Sequence, residues 1–108
     1  MSWMVAYIKE AEKDLNDLDH SQQLQVLKAI QKVSANPLPD TEGGYGKPLG
    51  NHSSIHLAGY LKIKLAKLGI RVVYCLIREK RMMKIIIISI RDDEKVYKIA
   101  QERINRDR

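Results

Sequence analysis

One stretch of the chain is apolar at nearly every position, and it constrains the fold more than any other feature. The run from Met82 to Arg91 contains four successive isoleucines, Ile85 to Ile88. Successive side chains of a strand point to opposite faces, so a strand of this composition buries both of them. The sequence therefore predicts a central strand of a sheet, with other elements covering it on both sides.

Two more strands precede this central strand and pair with it. Residue patterning predicts strands at Ile55 to Ala66 and at Ile70 to Arg78. Residues 67–69 and 79–81 are short enough for hairpin turns, so the three strands form an antiparallel meander. β-Favouring residues from Trp3 to Tyr7 predict a further short strand near the N-terminus.

Helical spacing marks two segments before the meander and one after it. The apolar stripes are Ile8, Ala11, Leu15 and Leu18, then Leu24, Leu27, Ile30 and Val33, and finally Val96, Ile99, Ala100 and Ile104. Ser21 is the predicted N-cap of the second helix, and the short joint makes the first two helices an antiparallel hairpin. The predicted fold class is α+β, a single domain over residues 1–108: N-terminal strand, α-helical hairpin, three-stranded antiparallel meander and C-terminal helix.

The segment between the hairpin and the meander, Pro37 to Ser54, has an unusual composition. It holds all three prolines and four of the six glycines. This composition predicts a long loop, and loops of this length in a small domain are often functional or mobile. The sequence itself assigns no role to this loop.

The charge balance indicates a polyanionic partner. Lys and Arg outnumber Asp and Glu by 19 to 13, for a formal charge of +6. Such a balance favours association with nucleic acid, although it says nothing about fold. The alternative is a basic protein whose charge only maintains solubility.

Several classes of protein are disfavoured. The single cysteine, Cys75, excludes an internal disulfide and lies in an apolar run that predicts packing. The N-terminus lacks a signal-peptide core and the longest aliphatic run is too short to span a bilayer, so we expect a cytoplasmic protein without a membrane partner. There is no glycine-rich phosphate loop and no Cys/His spacing typical of zinc, so we expect neither a cofactor nor a metal.

Basic residues recur along the predicted strands in a pattern that suits a polyanion. Lys62 and Lys64 point to one face of a strand, where neighbouring lysines repel each other. Arg71 begins the next strand, Arg91 ends the central one, and Tyr97 follows six residues later. Neighbouring strands could bring these residues to one surface. The candidate residues for binding a polyanion such as RNA are Lys62, Lys64, Lys67, Arg71 and Arg91.

Such a surface can cleave RNA without a histidine, because RNA carries its own nucleophile, the 2′-hydroxyl. Arginine keeps its charge and donates a fork of hydrogen bonds to phosphate oxygens. A lysine crowded by cations gives up its proton more readily and can act as a base. Tyrosine offers a ring for stacking and a hydroxyl for proton transfer.

Structural roles remain open for each of these residues taken alone. The lysine pair can protect an edge strand from aggregation. Arg71 can form a local salt bridge, and Tyr97 can be a half-buried anchor of the last helix. Only the joint occurrence of these residues, in this order along the chain, favours a site that acts on RNA.

These segments resemble the RelE branch of the RelE/ParE toxin superfamily over nearly the whole chain. The match is more specific in the strand Leu61-Lys-Ile-Lys-Leu, in Gly69-Ile-Arg-Val-Val-Tyr and from Arg91 to Tyr97 than in the helical hairpin. The resemblance implies an mRNA-cleaving site formed by Lys62, Lys64, Arg71, Arg91 and Tyr97. It also implies cleavage of mRNA in the ribosomal A site and neutralisation by a cognate antitoxin.

Two stretches depart from this resemblance. Residues 92–94 are all acidic, whereas well-known RelE toxins are more basic between the last arginine and the tyrosine. The segment from Pro37 to Ser54 is longer than in compact members. Carboxylates beside an RNA site repel phosphate, so the acidic stretch bears directly on how RNA is held.

Two other functions fit the same fold class. A ParE-like gyrase poison binds protein and cleaves nothing itself, and a non-toxic RNA-binding module would retain only the basic surface. For the toxin hypothesis, the +6 charge predicts an acidic antitoxin segment that folds on contact. Basic residues near the C-terminus, Arg103, Arg106 and Arg108, are predicted to steer that encounter.

Overall fold

The computed structural model describes residues 2–52, 55–90 and 92–106. Within these ranges the helices are α1 (Lys9–Asn16), α2 (His20–Ser34) and α3 (Asp93–Arg106), and the strands are β1 (Met4–Tyr7), β2 (Lys47–Pro48), β3 (Asn51–His52), β4 (Ile55–His56), β5 (Leu61–Leu65), β6 (Ile70–Ile77) and β7 (Met82–Ser89). The predicted α+β class and its order of elements are confirmed. No helix of the described ranges is both long enough and apolar enough to cross a bilayer.

The meander forms the middle of a five-stranded sheet with the order β1-β7-β6-β5-β2. β5, β6 and β7 pair in antiparallel fashion as predicted, while β1 pairs with β7 in parallel. The central position predicted for β7 is confirmed, because it lies between β1 and β6 and its residues Ile85 to Ile88 are all buried. α1 and α3 pack against this strand, whereas α2 packs against β5.

The strand predicted at Ile55 to Ala66 is wrong as a continuous element. β4 pairs with β3 in a separate two-stranded sheet, and β5 begins only at Leu61. Between them the chain turns, with Gly59 at φ 87° and the Tyr60 amide donating to the Leu57 carbonyl over 3.0 Å. Glycine adopts a positive φ at low cost, so Gly59 interrupts the strand that the residue pattern predicts.

α2 presents a different face to the sheet from the one predicted. Its buried residues are Val26, Ile30, Val33 and Ser34, whereas Leu24 and Leu27 are exposed. The predicted stripe and the observed one both have helical spacing and share Ile30 and Val33. Spacing alone therefore could not decide between them, and the packing of the helix on the sheet selects the face that carries Val26.

The N-cap of α2 is Asp19 and not Ser21. The Asp19 carboxylate accepts a hydrogen bond from the Gln22 amide at 2.8 Å, and the Gln22 side chain accepts one from the Asp19 amide at 3.3 Å. This reciprocal arrangement is a capping box, which satisfies two backbone donors at once. Ser21 consequently lies inside the first turn of the helix.

Beyond Tyr7, side chains rather than a strand cover the outer edge of β7. The Ile88 amide donates to Asp14 at 3.1 Å, and Arg103 donates to the Ile86 carbonyl at 3.0 Å. Arg103 also holds both carboxylate oxygens of Asp14, at 2.6 and 3.1 Å. We call Asp14 and Arg103 the edge clamp, because they tie α1 and α3 to the backbone of β7.

The edge clamp bears on the prediction that the C-terminal arginines steer the antitoxin towards the protein. The side chain of Arg103 is only 13% exposed, so the expectation that it steers a partner from the surface is wrong. Arg106 remains exposed, 3.3 Å from the Glu10 carboxylate, and Arg108 lies outside the described residues. The long-range contact across 89 positions of sequence buries an arginine that local sequence reasoning places outside.

The segment rich in proline and glycine is held against the sheet in its described part. The Tyr74 hydroxyl donates to the Pro37 carbonyl at 2.8 Å, and a Cβ at Gly46 would lie 2.2 Å from that hydroxyl oxygen. Arg78 and Glu42 form a two-pronged ion pair at 2.9 and 2.8 Å, which lowers the pKa of Glu42. These contacts place β2 beside β5 and so extend the sheet at that edge.

Candidate functional site

The sheet register brings the predicted basic residues to one face. Lys62 lies opposite Val73, Lys64 lies opposite Arg71, and Arg71 in turn lies opposite Ser89. Directly opposite residues share a face of the sheet, so Lys64 and Arg71 point to the same side. Lys62 belongs to that side too, since it is two positions from Lys64 on β5.

The first turns of α3 complete this face. The Lys62 ammonium donates to the Tyr97 hydroxyl at 3.2 Å and lies 5.8 Å from the centroid of the Tyr97 ring. These residues are 35 positions apart in the sequence, and the docking of α3 against the sheet brings them together. Tyr97 is only 8% exposed, so its ring is packed as a helix anchor, while its hydroxyl contacts a cation at the site.

Arg71 is held by α3 as well. Its Nε donates to the Asp93 carboxylate, and its Nη1 donates to the Gly69 carbonyl at 3.3 Å. The side chains of Arg71 and Asp93 are 18% and 43% exposed. The local salt bridge that the sequence left open for Arg71 therefore exists, and it places a carboxylate inside the basic face.

Two of the three acidic residues between the last arginine and the tyrosine have defined contacts. Asp92 accepts the Lys95 amide with its carboxylate at 3.1 Å and the Val96 amide with its carbonyl at 3.0 Å. These bonds satisfy backbone donors at the start of α3. Asp93 pairs with Arg71, and Glu94 is exposed. The acidic stretch thus starts the helix and neutralises part of the basic face.

The remaining predicted residues contribute differently. Lys64 and Lys67 are exposed, the first on β5 and the second in the turn that leads to β6. Arg91 lies outside the described residues, so its place relative to the other four predicted catalytic residues stays a prediction. Direct contacts join Lys62 to Tyr97 and Arg71 to Asp93, and Lys64 lies opposite Arg71 on the same face of the sheet.

Lys47 is a candidate that sequence reasoning missed. It lies on β2 directly opposite Lys62 and is exposed, so it adds a further cation to the same face. The strand has only two residues and lies inside the segment predicted to be a loop. No periodic signal can arise from two residues, and only the pairing of β2 with β5 identifies Lys47.

Two other kinds of site, a reactive cysteine and a metal centre, are not found among the described residues. Burial raises the pKa of the Cys75 thiol, and the nearby Lys84 offsets this shift only in part. A partly buried thiol of raised pKa holds little thiolate at neutral pH, which agrees with a packing role. Among the described residues, no three His, Cys, Asp or Glu side chains lie close enough together to hold a metal ion.

Comparison with solved structures identifies the architecture. A doubly substituted variant of the Escherichia coli toxin RelE in the free state has a TM-score of 0.72 over 96% of this chain and 99% of the other, at 24% identity. The chain has the fold of the RelE toxins. This agreement covers the hairpin, the meander and α3 together.

Chains from toxin–antitoxin complexes have the same fold. A RelBE complex from Mycobacterium tuberculosis contains a chain with a TM-score of 0.68, 23% identity and coverage of 86% of this chain and 95% of that one. The E. coli RelE variant bound to an antitoxin RelB peptide has a TM-score of 0.69 at 24% identity, over 93% and 95% of the two chains. No protein-family profile matches the sequence, and no curated protein matches it.

Proposed function

We propose that this protein is the toxin of a type II toxin–antitoxin system and that it cleaves mRNA in translating ribosomes. The observation that carries the proposal is the basic face, on which Lys62 contacts the Tyr97 hydroxyl at 3.2 Å and Lys64 lies beside Arg71. The RelE-like fold supplies the context, since the structures it resembles are named as toxins. Translating ribosomes are cytoplasmic, so the proposed place of action is the cytoplasm.

In the proposed reaction the 2′-hydroxyl oxygen attacks the adjacent phosphorus, and the bond from phosphorus to the 5′-oxygen breaks. The 2′-hydroxyl loses a proton and the leaving 5′-oxygen gains one, which gives a 2′,3′-cyclic phosphate and a free 5′-hydroxyl. Negative charge accumulates on the phosphate oxygens between these events. A site for this reaction needs cations beside the phosphate and a group that transfers protons.

Each described residue of the face suits one of these tasks. Arg71 and Lys64 lie opposite each other and are assigned to the phosphate charge. The Lys62 ammonium donates to the Tyr97 oxygen, so the hydroxyl hydrogen of Tyr97 is directed elsewhere, and we assign it proton transfer with the reacting oxygens. The burial of the Tyr97 ring disfavours stacking on a base as its main role.

The proposed partners are the ribosome with its mRNA and a cognate antitoxin. The formal charge of +6 favours an acidic antitoxin that folds on binding. Structures of RelE with its antitoxin share this fold. The alternative of a ParE-like gyrase poison is not favoured, because it does not account for a lysine–tyrosine contact surrounded by further cations.

Expression of the chain alone tests the proposal. We expect growth arrest with blocked translation and with mRNA cut only where ribosomes are engaged, and we expect coexpression of an acidic protein encoded by a neighbouring gene to restore growth. Primer extension on a message with and without a functional ribosome-binding site gives the matched comparison. Growth arrest with intact mRNA and accumulated DNA breaks would instead support a gyrase poison.

A further inference from the structure

The basic face contains a carboxylate, Asp93, that is paired with one of its cations, Arg71. This carboxylate accepts the Nε hydrogen of Arg71, on the side of the sheet where Lys62 and Lys64 also lie. Carboxylate and phosphate oxygens bind the fork of an arginine in the same way. An RNA phosphate that approaches Arg71 therefore competes with a carboxylate of the protein itself.

We propose that Asp93 is an internal competitor for the RNA phosphate on Arg71, and that it makes binding to free RNA weak. This inference rests on the proposed function, since it concerns RNA at the same site. Asp93 therefore favours RNA that is already bound to the ribosome over free RNA. The ribosome holds such RNA in place, so its initial binding does not depend on Arg71. Once the RNA is positioned, its phosphate displaces Asp93 and engages the guanidinium.

The exposures of the two side chains suit such an exchange. Arg71 is mostly buried, at 18%, whereas Asp93 is 43% exposed. The Gly69 carbonyl also accepts from Arg71, so the guanidinium keeps a second anchor when the carboxylate leaves. Partly exposed ion pairs are separated at low cost, because water solvates the released carboxylate. The arginine can therefore stay in place while its partner changes.

The chain offers a matched control for this role. Glu94 follows Asp93 directly and is exposed, so Glu94→Gln changes the net charge by the same amount as Asp93→Asn. If long-range charge alone weakens RNA binding, the two substitutions act alike. If Asp93 acts through Arg71, only Asp93→Asn has a large effect, and that effect requires Arg71.

The test is the affinity for a short single-stranded RNA, measured by fluorescence anisotropy at several salt concentrations. The proteins are wild type, Asp93→Asn, Glu94→Gln, Arg71→Ala and the double variant Asp93→Asn/Arg71→Ala. We expect Asp93→Asn to tighten binding about three- to tenfold at low salt, from the energy of one charge contact in water. We expect Glu94→Gln to change it less than about twofold, because screening weakens an exposed charge.

Two further readouts separate competition from a structural effect. If Asp93→Asn binds one more RNA phosphate than the wild type does, the dependence of log Kd on log salt steepens by about 0.7 for a single strand. In the Arg71→Ala background the tighter binding should vanish. Asp93→Ser, which also suits a helix start, repeats the test if Asp93→Asn unfolds, and thermal unfolding by circular dichroism checks every variant.

The outcomes distinguish this inference from the proposed function. Equal tightening in the presence and absence of Arg71, or equal effects of Asp93→Asn and Glu94→Gln, would overturn the competitor role even if the wild type cleaves ribosomal mRNA. If the wild type neither cleaves ribosomal mRNA nor binds RNA in any variant, the proposed function fails and the inference fails with it. Tightening that depends on Arg71 supports the inference.

Discussion

An Arg–Asp pair lies near each end of α3, and the two pairs differ in how far they are exposed to solvent. Near the C-terminal end, Arg103 and Asp14 are 13% and 18% exposed and bond to the backbone of β7 as well as to each other. At the N-terminal end, the Arg71–Asp93 pair is open to solvent on its acidic side. A buried pair with backbone bonds fixes the helix, whereas a half-exposed pair can exchange its partner.

The largest expected effect is on stability, at the C-terminal end. Asp14→Ala leaves Arg103 buried without its carboxylate and the Ile88 amide without its acceptor. We expect a loss of about 3–5 kcal/mol in the free energy of unfolding. Urea unfolding at fixed pH measures it, with Glu12→Ala on the exposed side of the same helix as the control. A loss below about 1 kcal/mol would remove the contrast between the two pairs.

The next effect is on rate, at the N-terminal end. Tyr97→Phe keeps the packed ring and removes the hydroxyl that accepts from Lys62. We expect the single-turnover cleavage rate to fall about 10²-fold or more, while the free energy of unfolding changes by about 1 kcal/mol. Tyr45→Phe, on an exposed tyrosine, serves as the control. An unchanged cleavage rate would make Tyr97 a helix anchor only.

A smaller effect is expected from the lysine that β2 adds to the face. Lys47→Ala should weaken RNA binding by about 1 kcal/mol, the energy of one charge contact in water, and reduce the salt slope by about 0.7, as one lost phosphate contact does. The cleavage rate of bound RNA should hardly change, since Lys47 lies on the outermost strand of the sheet, two strands away from Arg71. Lys80→Ala in the turn before β7 is the control. Equal effects of both variants would mean that only net charge matters.

The smallest effect is expected at the exposed pair in the last turn of α3. Arg106 lies 3.3 Å from Glu10, and its side chain is largely exposed. Arg106→Ala should change the free energy of unfolding by less than about 1 kcal/mol. Thermal unfolding beside Asp14→Ala gives the comparison. A loss as large as that of Asp14→Ala would show that burial does not separate the two pairs.

The sequence predicts those helices and strands whose residue pattern is local and spans enough positions to be recognised. β7 has eight residues, and the isoleucines at its centre leave no exposed face; the alternation in β5 places Lys62 and Lys64 together. The face of α2 was predicted wrongly because apolar residues at helical spacing lie on both possible stripes, with Leu24 and Leu27 on one and Val26 on the other. The break between β4 and β5 was missed because a single positive φ, at Gly59, interrupts the strand that the residue pattern predicts.

Contacts between distant elements could not be predicted in the same way. Asp14 has the sequence context of an exposed helix residue, yet it pairs with Arg103 from the other end of the chain. The Arg71–Asp93 pair depends on how α3 docks on β6, and Lys47 depends on a strand of two residues. Charged residues pair according to tertiary geometry, which hydrophobic periodicity does not encode.

The central claim is that this basic face performs phosphoryl transfer on mRNA, and Arg71 tests it most directly. The measurement is single-turnover cleavage of ribosome-bound mRNA together with ribosome affinity, for wild type and Arg71→Ala. The account predicts that the cleavage rate falls about 10²–10³-fold while ribosome affinity changes little. Cleavage by Arg71→Ala at the wild-type rate, or a loss of binding in the same proportion as the loss of rate, would contradict it.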